Sequence, residues 1–77
     1  YEPVFAIGSG NPDTPQNADE VAKSFKEKHD DLEVLYGGSV TSENVKAFVA
    51  RDNLSGVLVG GASLDPEEFV KIINECM

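Results

Sequence analysis

The sequence has 77 residues, 14 Asp and Glu against 6 Lys and Arg, a formal net charge of −8, one His and one Cys. A chain this short buries only about 60% of its unfolded surface, so it builds at most one marginal core, and its single cysteine excludes an internal disulfide. The acidic balance argues against a nucleic-acid partner, which needs basic side chains on its phosphates, while Cys76 and His29 are too few soft ligands for a metal site.

The chain opens on Tyr1-Glu2-Pro3, followed by the apolar run Val4-Phe5-Ala6-Ile7 and then Gly8-Ser9-Gly10. Periodicity allows that run as a short strand. Thr14-Pro15 marks the clearest helix start, because threonine caps orphan N–H groups and proline fits the first helical position. Ala18, Val21, Ala22, Phe25 and His29 then share one helical face, predicting a helix over 14–29 with its cap. After Asp30-Asp31, Leu32, Val34, Leu35 and Tyr36 predict a strand over 32–36, ended by Gly37-Gly38.

A second helix is expected over 42–50, with Val45, Phe48 and Val49 on one face and Thr41 or Ser42 as its cap. Arg51-Asp52-Asn53 breaks it. Val57-Leu58-Val59 predicts a strand over 56–59 of the kind covered on both faces, again closed by a glycine pair, Gly60-Gly61. Asp65 and Glu68 stand at capping-box spacing and open a last helix over 65–76, with Phe69, Ile72, Ile73 and Cys76 on its apolar face. The two complete units repeat: VLYGGS at 34–39 aligns with VLVGGA at 57–62. Strands alternating with helices predict an α/β fold with a parallel sheet. Two strands are too few for one, so the array reads as the end of a longer one, incomplete at its front.

Three turns put glycine and serine after apolar residues: Ile7-Gly8-Ser9-Gly10, Tyr36-Gly37-Gly38-Ser39 and Val59-Gly60-Gly61-Ala62-Ser63. Glycine lets an anion approach backbone N–H groups, and functional sites of α/β folds lie at the C-terminal ends of strands. Such turns also serve geometry alone. Glu2, taken singly, reads as a solvated acid, His29 as structural and Cys76 as a small packed hydrophobe. Tyr36 is ambiguous between packing and hydrogen bonding. No signal-peptide pattern, no apolar run of about 18 residues and no basic amphipathic helix is present, so a soluble, cytoplasmic protein is the default expectation.

YEPVFAIGSG closely resembles the loop-6 signature of the triosephosphate isomerase family, usually written with Trp where Phe5 stands and often Thr where Ser9 stands. LYGGSV at 35–40 and GVLVGGASL at 56–64 resemble the turns after that family's seventh and eighth strands. The resemblance covers the whole chain and implies the C-terminal part of a (β/α)8 barrel: residues 1–2 end strand 6, 3–13 form a mobile lid, and the remainder carries units 7 and 8. It therefore reads Val4 to Ile7 as lid rather than strand.

By resemblance Glu2 is the catalytic base that shuttles a proton between neighbouring carbons through an enediolate. This family is itself a standard worked case of that chemistry, so the glutamate and histidine roles are taken over from it. Gly8, Ser39, Gly60 and Gly61 match its substrate-phosphate contacts, and Tyr36 and Ser39 stand where the loop after strand 7 bonds the closed lid. The resemblance implies a triose phosphate substrate, no cofactor, no metal and a homodimeric whole protein. The family's catalytic lysine and histidine lie in earlier strands, so the 77 residues alone are expected to be inactive. A non-catalytic phosphate-binding piece and a piece that only completes a barrel are the alternatives. Phe5 is expected to keep the apolar anchor of the usual indole without its N–H, and Asn11-Pro12-Asp13 to stiffen the lid hinge.

Overall fold

A computed structural model describes residues 1–77. Three helices, α1 (Pro15–Lys28), α2 (Val45–Val49) and α3 (Pro66–Cys76), alternate with two short strands, β1 (Leu35–Gly37) and β2 (Gly56–Leu58). Single 3-10 turns occupy Val4–Ala6 and Gly61–Leu64. The strands pair in parallel, Leu35 with Gly56, Tyr36 with Val57 and Gly37 with Leu58. On the other edge of β1, the Tyr1 amino group donates to Leu35 O and Gly37 N–H donates to Tyr1 O, both at 2.8 Å. That is a parallel-ladder pattern, and it places Tyr1 and Glu2 beside β1 as a third row of backbone.

Local chemistry explains the clean helix starts. Thr14 Oγ1 accepts from Asn17 N–H at 3.1 Å ahead of Pro15. Asp65 accepts from the N–H groups of Glu67 and Glu68 ahead of Pro66. Glu68 does not complete the expected capping box, however. Its carboxylate instead accepts from Ser42 N–H at 2.9 Å and Ser42 Oγ at 2.8 Å, joining the segments that lead into α2 and α3.

That contact also shortens α2. Ser42 is held by Glu68, while Thr41 and Asn44 bond reciprocally, Thr41 N–H to Asn44 Oδ1 at 2.8 Å and Asn44 N–H to Thr41 Oγ1 at 3.3 Å. The expected first turn is consumed by these bonds, and the helix starts at Val45. The strands are likewise shorter, at 35–37 and 56–58, and the first lies later than expected while the second keeps its start, because they extend only as far as their ladder partners do.

The core lies on one face of the sheet. Tyr36, Val45 and Phe48 are its largest fully buried side chains, joined by Ala18, Ala22, Val34, Val40, Leu54 and Ile72. The Tyr36 ring stacks on Phe48 with centroids 4.0 Å apart and planes 5° from parallel. Leu35 and Leu58 alternate to the other face and are 47% and 54% exposed, so the two-sided cover expected for β2 is not supplied within these residues.

Two further sequence expectations fail for related reasons. Phe25 is 46% exposed because α1 meets the core through Ala18 and Ala22, and its last turn, with His29, projects past it. Cys76 is exposed rather than packed. With α2 ending at Val49, the last turn of α3 overlooks an open groove beside Lys46, Val49 and Ala50. A single ion pair, Arg51 Nη2 to Asp19 Oδ2 at 3.1 Å, ties α1 to the turn before β2. The Asn53 N–H bond and Arg51 hold the Asp19 carboxyl below its usual range.

Candidate active site

At the C-terminal ends of the strands lies an open cleft of about 490 Å³. Glu2, Gly8, Ser39, Gly60 and Gly61 all line it, with Ile7, Leu58 and Val59 as apolar wall. Residues 58 positions apart in sequence thus meet because both strands, and the Tyr1–Glu2 segment beside them, end at one level.

Glu2 is exposed to the cleft, and Gly37 makes room for it. A Cβ built on Gly37 would stand 2.9 Å from Glu2 Cγ and 3.4 Å from Oε1, a separation side chains do not tolerate. Gly37 is therefore favoured by this close approach rather than by a left-handed backbone, which falls to Gly38 of the same pair.

The turns offer donors. The backbone N–H groups of Gly8, Ser39 and Gly60 find no acceptor within the chain. Gly8 adopts φ 63°, and Ser39 is the one non-glycine residue in the left-handed region, at φ 55°. A left-handed serine is uncommon, and such strain collects at functional turns. Ser39 is held there by its side chain, whose Oγ donates to Ala6 O at 2.7 Å. Unpaired N–H groups around a concave, partly apolar surface form an anion cradle.

Residues 3–13 have no regular structure beyond the Val4–Ala6 turn, and Ile7, Gly8 and Gly10 of this segment line the cleft. Ala6 is fully buried, while Val4, Phe5 and Ile7 are 87%, 59% and 56% exposed. These residues leave the Phe5 ring largely uncovered. Ser9 Oγ donates to Phe5 O at 2.7 Å and accepts from Asn11 N–H at 3.1 Å, folding the segment onto itself.

Its C-terminal end is tied down by two tyrosines. Tyr36 Oη accepts from Asp13 N–H at 2.9 Å and donates to Gly38 O at 2.6 Å, so the ring packs and its hydroxyl also bonds. Tyr1 Oη donates to Asp13 Oδ2 at 3.0 Å. Burial raises both phenols above their usual range, and the Asp13 charge adds to it, so both remain donors at neutral pH.

A scan of family profiles matches residues 1–76 to Triosephosphate isomerase. The chain belongs to the triosephosphate isomerase family. Triosephosphate isomerase of Caldanaerobacter subterraneus subsp. tengcongensis is 46% identical over 83 residues, covering 96% of this chain and 34% of that protein. The enzyme of Mesomycoplasma hyopneumoniae strain 7448 is 50% identical over 74 residues, covering 95% and 31%. That of Borreliella burgdorferi is 43% identical over 86 residues, covering 100% and 34%. The chain spans about a third of the length of these curated relatives.

Sequence reasoning missed two features of this site. The buried Asp13 carboxylate carries no signal beyond its place before Thr14-Pro15, where it reads as loop. The left-handed Ser39 was concealed in a Gly-Gly-Ser turn, in which glycine is the expected carrier of positive φ. No Lys, Arg or His lines the cleft. Lys23, Lys26, Lys28 and His29 belong to α1 or its end, and none of them reaches it.

Proposed function

We propose that the complete protein is a triosephosphate isomerase, interconverting dihydroxyacetone phosphate and glyceraldehyde 3-phosphate, and that these residues form one arc of its (β/α)8 barrel. The observation that carries this reading is that a carboxylate, Glu2, shares one cleft with three unpaired backbone N–H groups. The exposed Leu35 and Leu58 suit such a barrel, whose interior is filled by side chains from its other strands.

In this reading Gly8, Ser39, Gly60 and Gly61 hold the phosphate through short charge-assisted bonds. Glu2 removes a proton from the carbon beside the carbonyl, and electrons shift to the carbonyl oxygen, giving an enediolate. The same carboxyl returns the proton to the neighbouring carbon, while the hydroxyl proton on the first carbon passes to the oxygen of the second and a new carbonyl forms on the first, so no net oxidation occurs. A base acts this way when it lies within hydrogen-bond reach of the carbon acid. Residues 3–13 close over the phosphate as a lid, with Tyr36 fixing its end. Lid closure is a known feature of this enzyme family. Excluding water from the enediolate suppresses loss of its phosphate.

The group that polarises the carbonyl comes from outside these residues, since the cleft holds no basic side chain. The family resemblance also implies a homodimer and a cytoplasmic setting. No helix is long and apolar enough to cross a membrane. The test is turnover of dihydroxyacetone phosphate by the complete protein in D2O. Glyceraldehyde 3-phosphate carrying one solvent-derived deuterium beside its carbonyl is the expected product. Absence of both conversion and exchange contradicts the reading.

A further inference from the structure

Asp13 is the only buried charged residue, 7% exposed, and its carboxylate is fully engaged. Oδ1 accepts from Thr14 N–H at 2.8 Å, and Oδ2 accepts from Tyr1 Oη at 3.0 Å and Asn17 Nδ2 at 2.8 Å. Capping of α1 does not need it, because Thr14 Oγ1 already serves the Asn17 N–H. Its own N–H goes to Tyr36 Oη, which continues to Gly38 O, one residue before the cleft-lining Ser39. The two phenol rings stand 6.3 Å apart, with Asp13 bonded to both hydroxyls. One hydrogen-bonded chain thus runs from Tyr1, the neighbour of Glu2, through the end of segment 3–13 to the phosphate turn.

Resting on the site reading above, we propose that Asp13 is a positioning residue. Its carboxylate fixes the C-terminal root of the lid to the Tyr1 ring, so that closure of the lid over the phosphate swings from a fixed anchor. Two donors on one buried oxygen, from Tyr1 and from Asn17, restrain that anchor from two directions. The proposal concerns closure driven by the phosphate. A substrate without phosphate cannot drive it, since the binding energy spent on closure comes from that remote group.

The experiment compares glyceraldehyde 3-phosphate with unphosphorylated glyceraldehyde, using the complete protein and its Asp13→Ala, Tyr1→Phe and doubly substituted variants. Each single variant is expected to lower kcat for the phosphorylated triose about tenfold, the usual scale for losing a buried bond to a charged group. Turnover of glyceraldehyde is expected to stay unchanged, and the double variant to be no worse than the worse single one. Tyr1→Phe keeps the ring and guards against misfolding of Asp13→Ala. Equal losses on both substrates, or losses that multiply in the double variant, overturn the coupling and leave Asp13 a structural residue. If the unsubstituted protein does not isomerise the triose phosphate at all, the site reading falls and this inference with it.

Discussion

At the scale of single residues, the site depends on what side chains are absent as much as on those present. Gly37 is the clearest case, because Glu2 occupies the space a Cβ would need. Gly37→Ala should therefore displace the carboxylate without disturbing the helices. Misplacing a catalytic group by about 1 Å costs on the order of 100-fold in rate. The expected result is a fall in kcat of that order with a melting temperature close to the parent's, read from turnover and thermal unfolding of the complete protein. A variant with parental kcat contradicts the close approach. Ser39 shows the complementary case, a strained residue kept in the left-handed region by a bond from its own hydroxyl to Ala6 O.

Among the elements, the contact of Glu68 with Ser42 is the one that joins the two Gly-Gly turns from behind, since Ser42 follows Ser39 by three residues and Glu68 opens the helix after Gly60-Gly61. The Ser42 N–H, and next its hydroxyl, hold the Glu68 carboxyl below its ordinary 4.5. The sign follows: a depressed carboxyl stabilises the fold above the unfolded-state value and loses that contribution as pH falls through its folded one. Glu68→Gln should be less stable than the parent at pH 7, with the gap closing below 4.5. Urea unfolding of the complete protein across that range checks it, and a gap that stays constant contradicts it.

Much at this scale was legible in sequence. The starts of α1 and α3 follow from Thr14-Pro15 and Asp65-Pro66 because capping is local chemistry. The parallel pairing follows from the repeated strand and glycine pattern. What was not legible depends on partners distant in sequence: the late start of α2, the diversion of Glu68, and the burial of Asp13 under Tyr1. The glycine turns were legible as strand-end anion sites, but the place of Glu2 in the cleft was readable only through resemblance, since alone it reads as a solvated acid and neither composition nor periodicity brings it to Gly60.

Taken as a whole, the molecule is a thin arc, 38 × 27 × 16 Å, with its helices on one face and its leucine face open. It carries a carboxylate and unpaired backbone N–H groups but no basic side chain at the cleft. A polypeptide of these 77 residues alone should therefore show no isomerisation of triose phosphates, and its uncovered Leu35, Leu58 and Leu64 should bind a hydrophobic dye. Measurable turnover by that polypeptide would show that the electrophile is not needed from elsewhere.

The central claim is that Glu2 moves the proton. Its most direct test is the Glu2→Gln variant of the complete protein, assayed for conversion of dihydroxyacetone phosphate. An amide keeps the shape and cannot accept the proton, so kcat should fall by roughly 100- to 10,000-fold, the range typical of a general base, with binding of inorganic phosphate retained. Turnover equal to the parent's would contradict the account.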